Sequence, residues 1–218
     1  MDKAFYFERL YPFQNEVLQL INKEDTPFYL TGGTAVSRGF LNHRFSDDLD
    51  LFVNDDDLFP VWAERVIFAL SGQDCWKLSL IQKEKRFLRA LLNCEGLDMK
   101  IELVNDVRAR TGHISNHPLL GRLDSPENIL ANKITALLDR EEPKDLADIW
   151  GLCCNRKLSL AAAIQGAQGK AAGVFPADLA RILCSVTCAD WEAIRWIEAP
   201  PIDGYLRDLR FLGEELIL

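Results

Sequence analysis

The sequence predicts an α+β protein, with a β-sheet core in residues 1–118 followed by a helical lobe in residues 119–218. Strand-like apolar runs occur in the first half, and the alternation of apolar and polar residues is clearest over 97–104. After Ser125, apolar residues recur at helical spacing. A chain of 218 residues forms one medium domain, or a core with an appended lobe.

The first half begins with helical and strand-like segments that alternate. Apolar residues at helical spacing predict a helix over 13–22, which Pro27 separates from a short buried strand over 28–30. The next predicted elements are a helix over 34–41, a strand over 49–53 and a helix over 59–71.

Three more strands are predicted, over 77–82, 86–93 and 97–104. The segment Cys94-Glu95-Gly96 predicts a hairpin turn between the last two. In the third strand the polar residues Asp98, Lys100 and Glu102 share one face, because alternate side chains of a strand point to the same side. That face is therefore charged and the other is apolar.

The second half is predicted to be helical. Ser125 and Pro126 favour a helix start, since serine caps the first turn and proline fits its first position. The apolar stripe continues to Arg140, and Pro143 begins another helix. Residues 158–218 are predicted to be mostly helical.

Composition excludes several classes of protein. No apolar run approaches the roughly 20 residues of a membrane helix, and the N-terminus lacks the charged and apolar segments of a secretory signal. A net charge of −8 argues against broad, unspecific nucleic-acid binding. The six cysteines form no CxxC pair. They are interpreted as buried, reduced thiols of a cytoplasmic protein, with zinc binding or disulfide formation as alternatives.

Asp48 and Asp50 are candidate metal ligands. They are two residues apart on a predicted strand and so point to the same side. Neighbouring carboxylates repel each other unless a cation lies between them, and hard oxygen ligands suit Mg²⁺ or Mn²⁺. The alternative is an acidic strand end exposed to water.

Gly32 and Gly33 strengthen the metal interpretation. Glycines between a strand and a helix let the backbone approach a ligand closely, and the first amides of a helix attract phosphate. A glycine pair alone predicts only a turn. Followed by Asp48 and Asp50 on the next apolar run, it predicts a site that binds phosphates and their metal ions together.

A third acid is expected on a neighbouring strand. Glu102 is the first candidate and Asp98, on the same face, is the second. Glu102 would complete the metal site or act as general base on an acceptor hydroxyl. The alternative is a solvated strand face.

Two blocks of sequence stand out together. The first runs Leu-Thr-Gly-Gly-Thr-Ala over 30–35 and His-Arg-Phe-Ser-Asp-Asp-Leu-Asp over 43–50. The second is a lysine-bearing predicted helix over 129–137, followed by Pro-Lys-Asp-Leu-Ala-Asp-Ile over 143–149. Both blocks resemble the AbiEii/AbiGii toxin family, nucleotidyltransferases of the DNA polymerase β superfamily. The resemblance implies a polymerase β-like core with a mixed sheet and a helical C-terminal lobe.

The resemblance also implies residue roles. Gly32, Gly33 and Thr34 would hold the phosphates, and Asp48 and Asp50 the metal ions. Lys133 would face the nucleotide, and Asp145 or Asp148 would be a further essential acid.

The residues themselves agree in part with these roles. Lys133 and Arg140 are seven apart and share a helix face, so they could neutralise a triphosphate together with Lys144. Asp145 and Asp148 could orient these cations. The alternative is a surface helix pair with exposed ion pairs.

Arg44 and Ser46 flank the acidic strand. Arg44 could pair with Asp47 or reach a phosphate, and Ser46 could donate to a phosphate or close the turn. Both are candidate nucleotide-binding residues.

The expected activity is transfer of a nucleoside monophosphate from an NTP to an RNA (tRNA) or protein acceptor, with Mg²⁺ or Mn²⁺ bound and pyrophosphate released. The resemblance implies a toxin with a cognate antitoxin, and the cysteine usage predicts a cytoplasmic protein. The alternatives are a nucleotide-binding protein that has lost turnover, and an antitoxin that nucleotidylates a partner toxin.

Overall fold

The computed structural model of the protein describes residues 3–217 and contains one mixed seven-stranded sheet with helices. Two compact units make up the chain. The sheet unit comprises the residues up to Ala35, Ser46–Arg108 and Ile114–Asp124. The helical unit comprises Val36–Phe45, Ala109–His113 and the residues from Ser125 onward. The predicted division at residue 118 remains a prediction.

The sheet has the strand order β3-β4-β5-β2-β1-β7-β6. Strand β2 lies parallel to β5 and antiparallel to β1, so the predicted mixed sheet is confirmed. The strands are β1 Tyr29–Thr31, β2 Leu49–Asn54, β3 Trp76–Lys83, β4 Phe87–Cys94, β5 Leu97–Asp106, β6 Ser115–His117 and β7 Gly121–Leu123.

Two helices of the sheet unit are α1 Tyr11–Lys23, which follows a π-helical segment Phe5–Leu10, and α3 Phe59–Ser71. Their apolar residues meet one face of the sheet, where Phe13 packs edge-on against Trp76 with ring centres 5.5 Å apart. Strand β5 buries Leu97, Met99, Ile101 and Leu103. Its polar face therefore lies on the side away from the core, as the alternation predicted.

The hairpin between β4 and β5 is confirmed. Cys94 pairs with Leu97, which leaves Glu95 and Gly96 as a two-residue turn. Both have positive φ, 50° and 78°, the backbone that matches the twist of the two strands.

The sequence did not predict β6 and β7. Each has three residues, and Ser115-Asn116-His117 has no apolar alternation to mark it. Long-range pairing holds β7 in place, since Thr31 Oγ1 donates to Asp124 Oδ2 at 2.7 Å and Asp124 N donates to Leu30 O at 2.9 Å.

In the helical unit, Asn128 N donates to Ser125 Oγ, which confirms the predicted cap. A π-helical segment Ala35–Leu41 follows the short helix α2 Gly32–Thr34, where a regular helix was predicted. The helices of this unit are α4 Pro126–Arg140, α5 Pro143–Trp150 with a π-helical segment Gly151–Asn155, α6 Leu160–Gln168, α7 Pro176–Cys184, α8 Cys188–Ala193 and α9 Ile202–Glu214.

Candidate active site

The glycine pair begins a turn directly beside the acidic strand. Gly32 has a φ of +66°, which side chains rarely adopt. A Cβ at this position would lie 2.1 Å from Asp50 Oδ2. Only glycine therefore fits where β1 ends against Asp50.

Thr34 ties this turn to the start of β2. It is fully buried, and its Oγ1 lies 2.5 Å from the backbone oxygen of Asp48 and 3.0 Å from Ser46 Oγ. Thr34 and Ser46 thus hold the glycine turn and the acidic segment in one fixed arrangement.

The acids of the sheet unit lie side by side on neighbouring strands. In the parallel pairing of β2 with β5, Asp50 is opposite Glu102, and on its other side Asp50 is opposite Thr31. Asp98 lies at the far end of β5, where Asn93 donates to it at 2.7 Å. The register therefore favours Glu102 over Asp98 as the third acid.

Two cations that the sequence did not assign to the site bind these acids. Lys100 Nζ lies 3.0 Å from Asp48 Oδ2 and 3.2 Å from Glu102 Oε1. Arg89 Nε donates to Glu102 Oε1 at 2.8 Å. Partial burial would lower the pKa of Lys100, but its hydrogen bond to Asp48 and the nearby acidic charges outweigh it and raise that pKa.

The donor set suits a divalent cation bound together with phosphate. No cluster of three metal-ligating side chains is preassembled in residues 3–217. Mg²⁺, however, typically takes only one or two protein carboxylates and fills its remaining positions with phosphate oxygens and water. Because Asp48 and Glu102 already share one ammonium, these residues are placed to share a cation.

A second ionic cluster is buried in the helical unit. Lys133 Nζ lies 2.7 Å from Asp145 Oδ1 and 2.7 Å from Asp148 Oδ2. All three side chains are buried, both acids completely. The alternative of an exposed surface ion pair is therefore wrong for these residues.

Asp148 also binds two residues that are distant in sequence, Arg44 and His43. Arg44 donates to both its oxygens, from Nε at 2.7 Å and from Nη2 at 2.6 Å. His43 Nε2 lies 3.0 Å from Asp148 Oδ1. Burial would raise the pKa of Asp148, but the charges of Arg44 and Lys133 hold it well below its usual range.

The same contacts shift the pKa values of Lys133 and His43, the partners of Asp148. Burial would lower the pKa of Lys133, but the charges of Asp148 and Asp145 outweigh it and raise the pKa. Burial lowers the pKa of His43, and this outweighs the hydrogen bond and charge of Asp148, which act in the opposite direction. A neutral His43 can donate its Nε2 hydrogen to Asp148.

Arg140 and Lys144 lie at the outer side of this cluster. Arg140 Nε donates to Asp145 Oδ2 at 2.8 Å. Lys144 does not join it there and instead pairs with Glu142 at 2.7 Å. The hydrogen bond from Lys144 lowers the pKa of Glu142.

The predicted site residues therefore form one group in each unit. The sheet unit brings together Gly32, Gly33, Thr34, Ser46, Asp48, Asp50 and Glu102. The helical unit brings together Arg44, Lys133, Arg140, Asp145 and Asp148, with Lys144 paired separately. Sequence reasoning missed Lys100 and Arg89 as partners of the acids, although Lys100 shares the polar face of β5 with Glu102.

Comparison with known structures supports the same fold. A candidate nucleotidyltransferase from H. pylori has a TM-score of 0.63 and 18% identity, and the match covers 94% of this chain and 93% of that one. JHP933 from Helicobacter pylori has a TM-score of 0.63 and 19% identity, with 99% and 92% covered. At such identities the likeness establishes the fold.

A third structure of the same fold is MenT4, the nucleotidyltransferase toxin Rv2826c from Mycobacterium tuberculosis H37Rv. Its TM-score is 0.64 and its identity 14%, and the match covers 95% of this chain and 82% of that one. No curated protein matches the chain significantly.

The sequence itself identifies the family. Residues 19–173 match the family described as "Nucleotidyl transferase AbiEii toxin, Type IV TA system". This range includes both blocks on which the resemblance rests, the glycine turn with its acidic strand and the lysine helix with its two buried acids. The chain therefore belongs to the AbiEii family of nucleotidyltransferase toxins, which implies an antitoxin as partner.

Proposed function

We propose that the protein transfers a nucleoside monophosphate from an NTP to an acceptor hydroxyl of RNA, such as tRNA, or of a protein, in a cytoplasmic toxin–antitoxin system. The observation that carries the proposal is the group of acids on the adjacent central strands β2 and β5, beside the glycine turn. There a glycine turn closes onto Asp50, while Asp48 and Glu102 share one cation. Backbone amides that approach closely can bind phosphates, and carboxylate oxygens can bind the metal ion that accompanies them.

Each candidate site residue of the sheet unit has a proposed role. Gly32, Gly33 and Thr34 bind the phosphates through the turn that starts α2. Asp48, Asp50 and Glu102 hold Mg²⁺ or Mn²⁺. When bound, the metal neutralises charge on the phosphates and on the pyrophosphate leaving group.

Ser46 has a supporting role. Its hydroxyl is 3.0 Å from Thr34 Oγ1, so it orients the threonine that closes the turn. In the proposal Ser46 also donates to a phosphate oxygen when the nucleotide is bound.

The helical unit supplies the proposed cations. Its candidate nucleotide-binding residues are Lys133, Arg140, Lys144 and Arg44. Asp145 and Asp148 set the positions of Lys133 and Arg44 through the short contacts described above. These two acids act by positioning, because their oxygens are buried and already bound by cations.

The test is incubation of the purified protein with each labelled NTP, Mg²⁺ and total tRNA or cell lysate. Label transfer is expected with one or more NTPs and should be abolished by the double variant Asp48→Asn/Asp50→Asn. Asp98→Asn is the matched control, because it removes an exposed acid from the same sheet face. Transfer that persists in the double variant would refute the proposed site.

A non-catalytic nucleotide-binding protein is the second candidate. The observation that favours it is the double neutralisation of Glu102 by Arg89 and Lys100. NTP binding without transfer to any acceptor would support it. An antitoxin that nucleotidylates a partner toxin would instead label a purified protein partner and leave tRNA unlabelled.

No helix among residues 3–217 has both the length and the apolarity to cross a membrane.

A further inference from the structure

Lys100 occupies the position between two proposed metal ligands. Its ammonium is 3.0 Å from Asp48 Oδ2 and 3.2 Å from Glu102 Oε1. About a third of the Lys100 side chain is exposed, 37%. The ammonium is therefore both bound by the acids and accessible to solvent.

The strand register makes this position a built feature of the sheet. Glu102 is two residues beyond Lys100 on β5, so both side chains lie on the same face. In the parallel pairing Leu49 is opposite Ile101, which sets Asp48 beside Lys100. A lysine on another face or register could not contact both acids at once.

Arg89 makes the arrangement asymmetric. Its Nε donates to Glu102 Oε1 at 2.8 Å, so Glu102 keeps a cationic partner when Lys100 moves away. Arg89 also lies over the ring of Phe87, with its guanidinium carbon 5.1 Å from the ring centre. Packing thus restrains Arg89, whereas Lys100 is held by its ionic contacts.

We propose that Lys100 is a positioning residue that serves as an internal counter-ion of the acid pair and yields its place when metal and nucleotide bind. The inference rests on the proposed function, since it takes Asp48 and Glu102 as metal ligands. Lys100 competes with a free divalent ion for the same oxygens. Once the metal has displaced it from the carboxylate oxygens, the Lys100 ammonium remains close by and can bind the phosphate oxygens of the nucleotide.

The competition predicts an increase in metal affinity when Lys100 is neutralised. Without nucleotide, Lys100→Met should bind Mn²⁺ about tenfold more tightly than the unaltered protein, because removing a unit charge at this distance changes the binding free energy by that order. Mn²⁺ binding is measured by electron paramagnetic resonance of the free ion. Lys100→Gln should give the same increase, and Lys100→Arg should leave the affinity close to that of the unaltered protein.

Lys77→Met is the matched control. Lys77 is opposite Asn93 in the β3–β4 register, and Asn93 is opposite Asp98 in the β4–β5 register, so Lys77 lies on the same sheet face as Asp98. Its side chain is exposed. Its removal lowers the net charge equally but does not free Asp48 or Glu102. A tightening confined to the Lys100 variants supports the inference.

Two results would overturn the inference, and they are distinguishable. If Asp48→Asn weakens Mn²⁺ binding but Lys100→Met and Lys77→Met bind equally, Lys100 does not compete and the proposed function stands. If Asp48→Asn leaves Mn²⁺ binding unchanged, the metal assignment fails and the inference fails with it. Thermal unfolding of each variant verifies that it is folded before metal is added.

Discussion

Asp48 and Glu102 in the sheet unit share one partly exposed ammonium, whereas Asp145 and Asp148 in the helical unit are completely buried among cations. The first pair is partly exposed to solvent, so the proposed exchange of its ammonium partner for a ligand would leave no fully buried charge unpaired. The second pair cannot release its partners without leaving buried charges unpaired. The comparison teaches that an acid's partners and burial, more than its place in a motif, separate a ligand-binding carboxylate from one that positions other side chains.

The largest expected effect comes from removing the charge of Asp148. Asp148→Asn leaves Arg44 and Lys133 buried without their shared carboxylate, which should lower the free energy of unfolding by about 3–5 kcal/mol. Denaturant unfolding measures the loss. Asp48→Asn is the matched control and should change stability by less than about 1 kcal/mol, since its ion pair is partly exposed. Equal losses in the two variants would remove the distinction between the two acid pairs.

A medium effect is expected at the glycine turn. Gly32→Ala forces a side chain into a positive φ and within 2.1 Å of Asp50 Oδ2. We expect a loss of roughly 2–3 kcal/mol, of which about 1–2 kcal/mol is the backbone conformation. Nucleotide transfer by the fraction of protein that remains folded should also fall, because Asp50 must shift to make room for the added side chain.

Gly96→Ala provides the control for that experiment. Gly96 also has a positive φ, +78°, but an added Cβ would meet nothing within 4 Å. It should therefore show the backbone loss alone and unchanged transfer. If both variants lose the same stability and activity, the close approach to Asp50 has no consequence.

The smallest effect is a pH dependence centred on His43. Its pKa is lowered in the folded protein, so as pH falls below about 6.5 the unfolded chain takes up a proton that the folded chain resists. The free energy of unfolding should therefore fall between about pH 7 and the lowered pKa, by at most about 1.4 kcal/mol per pH unit. His43→Gln should flatten this slope in denaturant unfolding measured at several pH values.

His113→Gln is the control for the loss of an imidazole, because His113 is exposed. A slope that is equally flattened in both variants would show that the burial of His43 beside Asp148 does not set the pH response.

Much of the secondary structure was predictable because it depends on neighbours in sequence. The helix Phe59–Ser71 and the strand at Leu49 begin where predicted, and the Glu95-Gly96 turn and the Ser125 cap are confirmed. Strands β6 and β7 escaped prediction because three residues carry no period, and their pairing partners are distant in sequence.

The candidate site divides in the same way. The sequence alone could propose Gly32, Asp48 and Asp50 as candidates, because a glycine turn and alternate acids are local patterns with direct chemical meaning. The contact between Lys100 and Asp48 depends on which strand lies beside β2. The pairing of Arg44 with Asp148 joins residues 104 positions apart.

By itself, the sequence determined the local elements, the polar face of β5 and the family to which the two blocks belong. Only the tertiary structure decided the partners of the charges: Lys100 between Asp48 and Glu102, and Arg44, His43 and Lys133 around Asp148. The physical reason is that periodicity and turn chemistry act over a few residues. Charge pairing, by contrast, depends on strand register and helix packing, which bring distant parts of the chain together.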